Sequence, residues 1–262
     1  MVQETEYGIL FEKKNRIAYI TLNRPEAYNA LNTVVRKQLK EKLEAVKEDP
    51  EIRAVIITGA GEKAFSSGAD LDEIVQRLKT PYSAKEGAES GQVLFNLIEK
   101  LGKPTIAAIN GYCLGGGCEL ILACTIRVAS TQAKIGLPEI NIGILPGHGG
   151  IQRLVRLVGR DSAAELILTG DMIDAQEAYR IGLVSYVVQP DQIITKSEEI
   201  AARFIKSGEI AVRLGLEAIY HTIHLPPEQG FALESALTGL AASTEDSSER
   251  LKALVEKRRQ KA

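Results

Sequence analysis

The sequence contains no apolar run approaching ~18 residues, the length a helix needs to cross a bilayer, so no membrane-spanning helix is expected. Cysteine is scarce. Cys113, Cys118 and Cys124 lie within one short stretch, and an odd count argues against a disulfide framework and for reduced thiols. The segment Met1 to Tyr7 is acidic and lacks both the apolar core of a secretory signal and the Arg-rich character of a transit peptide, so a cytoplasmic setting is expected. Neither charge sign is in excess: a net charge of -2 and a pI near 6.0 give no overall attraction to polyanions. Nucleic-acid or membrane-surface binding would therefore need a local patch. The dinucleotide-binding G-x-G-x-x-G and the P-loop G-x-x-x-x-G-K-S/T spacings are both missing, which disfavours a nucleotide fold.

What is present is a chain of 262 residues, 45% hydrophobic and 25% charged, enough for one large α/β domain or a core with a small appendage. Alternating segments Tyr7 to Glu12 and Arg16 to Leu22 predict a β-hairpin around a Lys-Asn turn. From Asn32 to Asp49, Val35, Leu39, Leu43 and Val46 recur at helical spacing beneath a mixed-charge face. A strand over Ala54 to Thr58, a Gly-rich loop from Gly59 to Asp70 and a helix over Ala84 to Leu101 follow, the last stopped by Gly102 and Pro104. The unbroken apolar run Thr105 to Ile109 predicts a strand buried on both faces. Gly111 to Gly117 reads as a turn entering a short helix that runs through Ala123, with a strand at Ile126 to Ala129 beyond it. After the Gly/Pro-rich stretch Leu137 to Gly150 the pattern is helical over Ile151 to Val158, Ser162 to Leu168, Ala175 to Ile181 and from Pro190 onward, with one strand at Leu183 to Val188. An α/β core over residues 1–190 and a helical region over 191–262 are expected.

Three Gly-rich loops each follow a strand and hold more small residues than a connection needs. Phe65-Ser66-Ser67-Gly68-Ala69-Asp70 precedes a helix starting at Asp70 or Leu71, and Gly115-Gly116-Gly117 stands at a helix N-terminus, where free N–H groups and the helix dipole favour negative charge. Two such sites together could form an oxyanion hole, which stabilises the charge that develops on a thioester oxygen. Tight turns, close packing points or a phosphate cradle remain the alternatives.

Specific markers run along nearly the whole chain: Leu22-Asn23-Arg24-Pro25 with Asn29-Ala30-Leu31, the Phe65-to-Leu71 loop, and Lys103-Pro104-Thr105 continuing to Gly115-Gly116-Gly117-Cys118-Glu119-Leu120. Leu137-Pro138-Glu139-Ile140, Pro146-Gly147-His148-Gly149-Gly150 with Gln152-Arg153-Leu154, and the ending Val255-Glu256-Lys257-Arg258 complete the set. In these the chain resembles the enoyl-CoA hydratase/isomerase (crotonase) family, most closely a bacterial short-chain hydratase.

The resemblance implies a crotonase fold, an α/β, ClpP-like spiral of repeated ββα units followed by helices that relatives use to build trimers and hexamers. It implies reversible addition of water to trans-2-enoyl-CoA thioesters, giving 3-hydroxyacyl-CoA, in β-oxidation of fatty acids or related acyl-CoA degradation. Carried over by position, the oxyanion donors are the backbone N–H groups of Ala69 and Gly116, and the catalytic carboxylates are Glu119 and Glu139. The CoA part would lie along Arg24, Ala27 and Ala30 and along Ala64, Ser67, Gly68, Asp70 and Leu71. Gly115 and Leu137 would adjoin the substrate, and Lys257 would meet the CoA phosphate region. No metal or redox cofactor is implied, since coenzyme A belongs to the substrate. Within the fold, hydration of cyclic or dienoyl thioesters and enoyl-CoA isomerisation are alternatives. A non-catalytic CoA- or RNA-binding scaffold is the alternative of another class.

Each assignment has a plainer counterpart. Glu119 could merely stabilise a helix N-terminus, Glu139 could be a solvated loop acid, and Lys257 an exposed helix charge. Thr125, Ile151, His148, Arg250 and Leu254 depart from the family pattern at positions that usually carry Asp, Thr, a small or aromatic residue, Gly and Phe. His148 could line the acyl pocket, but a lone His in a Gly-rich loop is more often exposed or hydrogen-bonded. His221 and His224 lack the neighbours of a metal site. In the helix after Asn32 the basic residues alternate with Glu41, Glu44, Glu48 and Asp49, which marks a solvated face rather than an RNA-binding one.

Overall fold

A computed structural model describes residues 7–260 apart from Leu78. The N-terminal stretch discussed above lies, up to residue 6, outside the described residues. The hairpin forms as expected from β1 (Gly8–Lys14) and β2 (Ile17–Asn23), with Asn15 and Arg16 both at positive φ in the turn. Helix α1 (Thr33–Glu48) begins at Asn32, whose side chain accepts from the Val35 N–H, and buries Val35, Leu39, Leu43 and Val46. Its exposed face carries the i,i+4 pairs Lys37–Glu41 and Lys40–Glu44.

The chain then repeats one move. Strand β3 (Ala54–Gly59) leads to a short strand β4 (Ala64–Ser66) and to helices α2 (Leu71–Arg77) and α3 (Pro81–Glu99). Strand β5 (Thr105–Ile109) leads to β6 (Tyr112–Leu114) and α4 (Gly116–Leu122), and β7 (Ile126–Ser130) leads to β8 (Lys134–Gly136), a 3-10 turn (Pro138–Ile142), α5 (Gly150–Val158) and α6 (Arg160–Thr169). The remaining elements are β9 (Met172–Asp174), α7 (Ala175–Arg180), β10 (Tyr186–Val188), α8 (Ile193–Lys206), α9 (Glu209–Thr222), α10 (Pro227–Ala242) and α11 (Glu245–Arg259).

In each repeat the first strand joins a six-stranded sheet of order β1-β2-β3-β5-β7-β10 and the second joins a four-stranded sheet of order β4-β6-β8-β9. This is the ββα spiral. None of the four strands of the smaller sheet is among the expected elements, β4 and β6 falling in stretches that read as loops, and the reason is length: three residues cannot display a period-two pattern. The larger sheet is legible because β3 and β5 are apolar on both faces.

The corners between sheets are fastened by two asparagines. Asn29, fully buried, donates from Nδ2 to the carbonyls of Ala60 (3.0 Å) and Ala64 (2.7 Å) and accepts the Arg24 N–H (2.9 Å). Asn110 donates to the carbonyls of Gly59 (3.1 Å), Gly61 (2.8 Å) and Ala64 (3.2 Å). Gly111 is required there, since a β-carbon would stand 2.2 Å from the Lys63 carbonyl oxygen.

One face of the large sheet packs Leu22, Val55, Ile57, Ala107 and Ile109 against α1, α3 and α4. The other packs Ile17, Ala54, Ile56, Ile106, Ala108 and Val128 against Ile193, Ile200 and Ala201 of α8. The expected division at residue 190 therefore falls ahead of a helix whose apolar face belongs to the sheet, while beyond it α9 buries Leu214, α10 buries Leu237 and α11 buries no residue.

Asn29→Ala would take a donor from the Ala60 carbonyl and the acceptor from the Arg24 N–H, leaving Ala64 to Asn110 alone; an unsatisfied buried group costs about 1–3 kcal/mol. A loss of about 2–4 kcal/mol in urea unfolding is expected, with the secondary structure of the folded state kept.

Candidate active site

A cavity of about 750 Å³ opens where the Gly-rich loops and the 3-10 turn converge. Ser67, Ala69 and Leu71 come from the loop after β4, Gly115, Gly116 and Glu119 from the start of α4, and Glu139 from the 3-10 turn. The far wall is largely apolar, with Ile142, Leu145 and Ile151 facing Ala84, Gly87 and Ala88 of α3. A larger hollow of about 1050 Å³ lies between the ends of α1 and α3 and helices α9 and α11, with Lys100, Arg213, Glu99 and Glu217 in its walls. It contains neither glutamate and neither Gly-rich loop.

Gly68 and Gly115 bring the two loops together, both at positive φ. A β-carbon on Gly68 would stand 3.0 Å from the Gly116 nitrogen, and one on Gly116 would stand 3.5 Å from the Ala69 nitrogen. The amides of Ala69 and Gly116 are thus neighbours. Gly116 is the first residue of α4, where the helix supplies no acceptor for its N–H. The Leu31 N–H donates to the Gly68 carbonyl (2.7 Å) and the Ser67 N–H to the Tyr28 carbonyl (2.9 Å), which anchors this loop to the segment after β2.

Glu119 is 1% exposed. Its Oε1 accepts the N–H groups of His148 (2.7 Å) and Gly150 (2.8 Å), and Nδ1 of the His148 ring stands 3.4 Å from Oε2. Burial, reinforced by the nearby Glu139 charge, raises its pKa to about 8, while the Gly150 and His148 amides and Arg153 pull the other way. Glu139 is raised to about 7 by burial, opposed by its own backbone N–H. Its Oε1 lies 2.9 Å from where a β-carbon on Gly115 would be, so that glycine makes room for the carboxyl group. Two carboxyls raised toward neutrality beside the amides of Ala69 and Gly116 can exchange protons with a bound thioester while the amides take up charge on its oxygen.

Other expected residues lie outside the cavity wall. Arg24 spans the two binding segments, its Nη1 donating to Asp70 Oδ2 (2.9 Å) and the Ala30 carbonyl (3.1 Å). The Ala64 carbonyl is taken by Asn29 and Asn110, and Leu137 is in the core. Ala27 accepts at its carbonyl from Ser67 Oγ (3.4 Å). Lys257 is exposed on α11 and does not line the cavity. Thr125 forms paired hydrogen bonds with Thr105, its N–H donating to Thr105 Oγ1 (2.9 Å) and its Oγ1 accepting the Thr105 N–H (3.1 Å). His224 Nδ1 lies 2.7 Å from the Tyr220 carbonyl. Among the described residues no three His, Cys, Asp or Glu side chains group as metal ligands, and no helix is long and apolar enough to cross a membrane. Sequence reasoning misses the two amides of His148 and Gly150 that hold Glu119. The only signal for them is the Gly-rich stretch itself, since chain separation of 29 and 31 residues carries no periodicity.

A family model described as enoyl-CoA hydratase/isomerase matches residues 12–261. A crotonyl-CoA hydratase of Syntrophomonas wolfei is 43% identical, over 96% of this chain and 96% of its own. A short-chain-enoyl-CoA hydratase of Clostridium acetobutylicum is 43% identical with the same coverage. The crystal structure of an enoyl-CoA hydratase from Bacillus anthracis superposes with a TM-score of 0.91 at 40% identity, covering 95% of this chain and 96% of that one.

Burial gives a stability effect with a definite sign. A carboxyl group raised from 4.5 to about 7 stabilises the folded state below its unfolded value, and that contribution is lost as pH rises through 7. Glu139→Gln removes the ionisation, so the variant is expected to be more stable than the parent by about 1–3 kcal/mol at pH 9 and no more stable at pH 5, read by thermal unfolding at the two pH values.

Proposed function

The chain belongs to the enoyl-CoA hydratase/isomerase family, and from that membership we propose that it adds water reversibly to trans-2-enoyl-CoA thioesters, with Glu119 and Glu139 as the acid–base pair. The observation that carries the assignment is the joining of both glutamates and both loop amides in one mostly apolar cavity. The thioester carbonyl accepts from the Ala69 and Gly116 N–H groups, which polarises the double bond and stabilises the enolate-like transition state. In this scheme Glu119 takes the proton from water as the oxygen bonds to the β-carbon; the two amide donors on Oε1 lower the cost of its ionised form without cancelling burial, which keeps it at about 8. Glu139 has no such pair of donors and gives its proton to the α-carbon, completing 3-hydroxyacyl-CoA. The reverse reaction returns both protons.

No further cofactor takes part in this scheme, because CoA is a portion of the substrate. The presence of two acids rather than one supports hydration over double-bond migration, and over a scaffold role without turnover. The exposed apolar side chains Ile219, Phe231, Leu240, Leu251 and Leu254 on α9 to α11 support assembly into trimers or dimers of trimers. Free, buried Cys113, Cys118 and Cys124 support a reducing, cytoplasmic setting. Arg24 and Asp70 fix the two segments that would cradle CoA, and Lys257 reaches its phosphates only if assembly brings α11 to a cavity.

Glu119→Gln and Glu139→Gln are each expected to lower crotonyl-CoA hydration by about a thousandfold or more while CoA-thioester affinity stays close to that of the parent. The measurements are loss of enoyl absorbance, product mass and equilibrium binding. Near-normal turnover in either variant would overturn the assignment. A panel of linear, branched and cyclic enoyl-CoA thioesters in the same assay separates hydration from isomerisation and defines the acyl group.

A further inference from the structure

Residue 148 touches both oxygens of Glu119. Its backbone N–H donates to Oε1, and its ring Nδ1 stands 3.4 Å from Oε2. The ring lines the cavity, is 14% exposed, and meets Phe95 edge to face at 5.7 Å between centroids. It fits because α3 carries glycine at 91, where a β-carbon would stand 2.2 Å from ring Cδ2. Gly91 and His148 are therefore one steric unit, and what the unit presents to the catalytic carboxyl is a polar ring.

We infer that His148 is a positioning residue for water addition: its ring Nδ1, 3.4 Å from Oε2 of Glu119, closes to a hydrogen bond on that oxygen as water is activated and biases the proton shared by the two glutamates toward Glu139. This rests on the acid–base reading of Glu119 and Glu139. A pair holding one proton has two arrangements, and only the one with Glu119 ionised can activate water while Glu139 donates to carbon. The resting balance works against that arrangement: with burial, the Glu139 charge and the two amides all acting, Glu119 stands at about 8 and Glu139 at about 7. The two amides at Oε1 offset burial only in part, and on the Oε2 side the ring Nδ1 stands 3.4 Å away.

The groups around the ring leave it that task. From α4 comes Glu119 itself, and from the 3-10 turn Glu139, on the wall of the same cavity. From α3 come Phe95 and Gly91, neither titratable. From α5 comes Arg153, whose Nη1 donates to the His148 carbonyl (3.1 Å) and whose Nη2 is held by Glu99 (3.0 Å) and Asn96 (2.6 Å). That arginine is committed elsewhere. Both the neutral Nδ1–H tautomer and the imidazolium donate, and the charged form does so more strongly.

The test is the pH profile of kcat for crotonyl-CoA hydration in His148→Phe, His148→Asn and Gly91→Ala. Phenylalanine keeps a ring against Phe95 and removes the donor; kcat is expected to fall about tenfold, with KM changed less than about twofold and the acidic limb moved up by about one pH unit. Asparagine places an N–H near the Nδ1 position and is expected to recover most of the lost rate. Gly91→Ala displaces the ring while residue 148 remains histidine. It is expected to reproduce the phenylalanine profile, with the ring moved aside from the 2.2 Å clash. A parent-like kcat and profile in His148→Phe, or a fall in His148→Asn as deep as in His148→Phe, overturns the inference. If Glu119→Gln is inactive while His148→Phe is normal, only the role of His148 is lost. If Glu119→Gln turns over normally, the acid–base reading fails and takes this one with it.

Discussion

Taking two carboxyl groups out of water beside one another is the constraint around which this structure is organised. A buried carboxylate without partners is costly enough that the group stays protonated instead, and Glu119 and Glu139 are both pushed toward neutrality for that reason. What separates them is the distribution of donors. Glu119 accepts from two main-chain amides and has a histidine ring nitrogen 3.4 Å away, whereas Glu139 has its own backbone N–H and a glycine that leaves it space. Unequal surroundings for two like groups are what allow one to act as base and the other as acid.

That arrangement needs three separate backbone approaches, and the fold supplies them through its corners. At each corner a strand of the large sheet ends, the chain turns, and a three-residue strand enters the small sheet. Asn29 and Asn110 hold the turn before β4, and Ser130 Oγ accepts the Gln132 N–H before β8. Short strands end quickly, so the loops that follow them emerge side by side: β4 delivers Ala69, β6 delivers Gly116, and β8 delivers Glu139. The large sheet, apolar on both faces and covered by α1, α3, α4 and α8, is the rigid support behind them. Catalytic groups on loops gain precision when the loops leave parallel, hydrogen-bonded neighbours.

Much of the fold was legible without coordinates because burial leaves a periodic trace. The stripe Val35, Leu39, Leu43, Val46 marks α1, and the run Thr105 to Ile109 marks a strand enclosed on both sides. The small sheet left no trace, because β4, β6, β8 and β9 are too short to alternate. The boundary expected at residue 190 also missed a contact, since the apolar face of α8 matches a sheet formed more than sixty residues earlier in the chain by Ile17, Ile56 and Ile106.

The sequence by itself determined which chemical groups are available: two glutamates, two glycine-rich turns and a family pattern, all of which are local strings of residues. Only the tertiary structure decided their relations. It put His148 and Gly150 onto Glu119, gave Gly91 the task of admitting the His148 ring, and left Lys257 on an exposed helix away from the cavity. The physical reason is that hydrogen bonds and desolvation depend on distance in space. Residues far apart in the chain become neighbours only when the sheets have formed and the corners have turned.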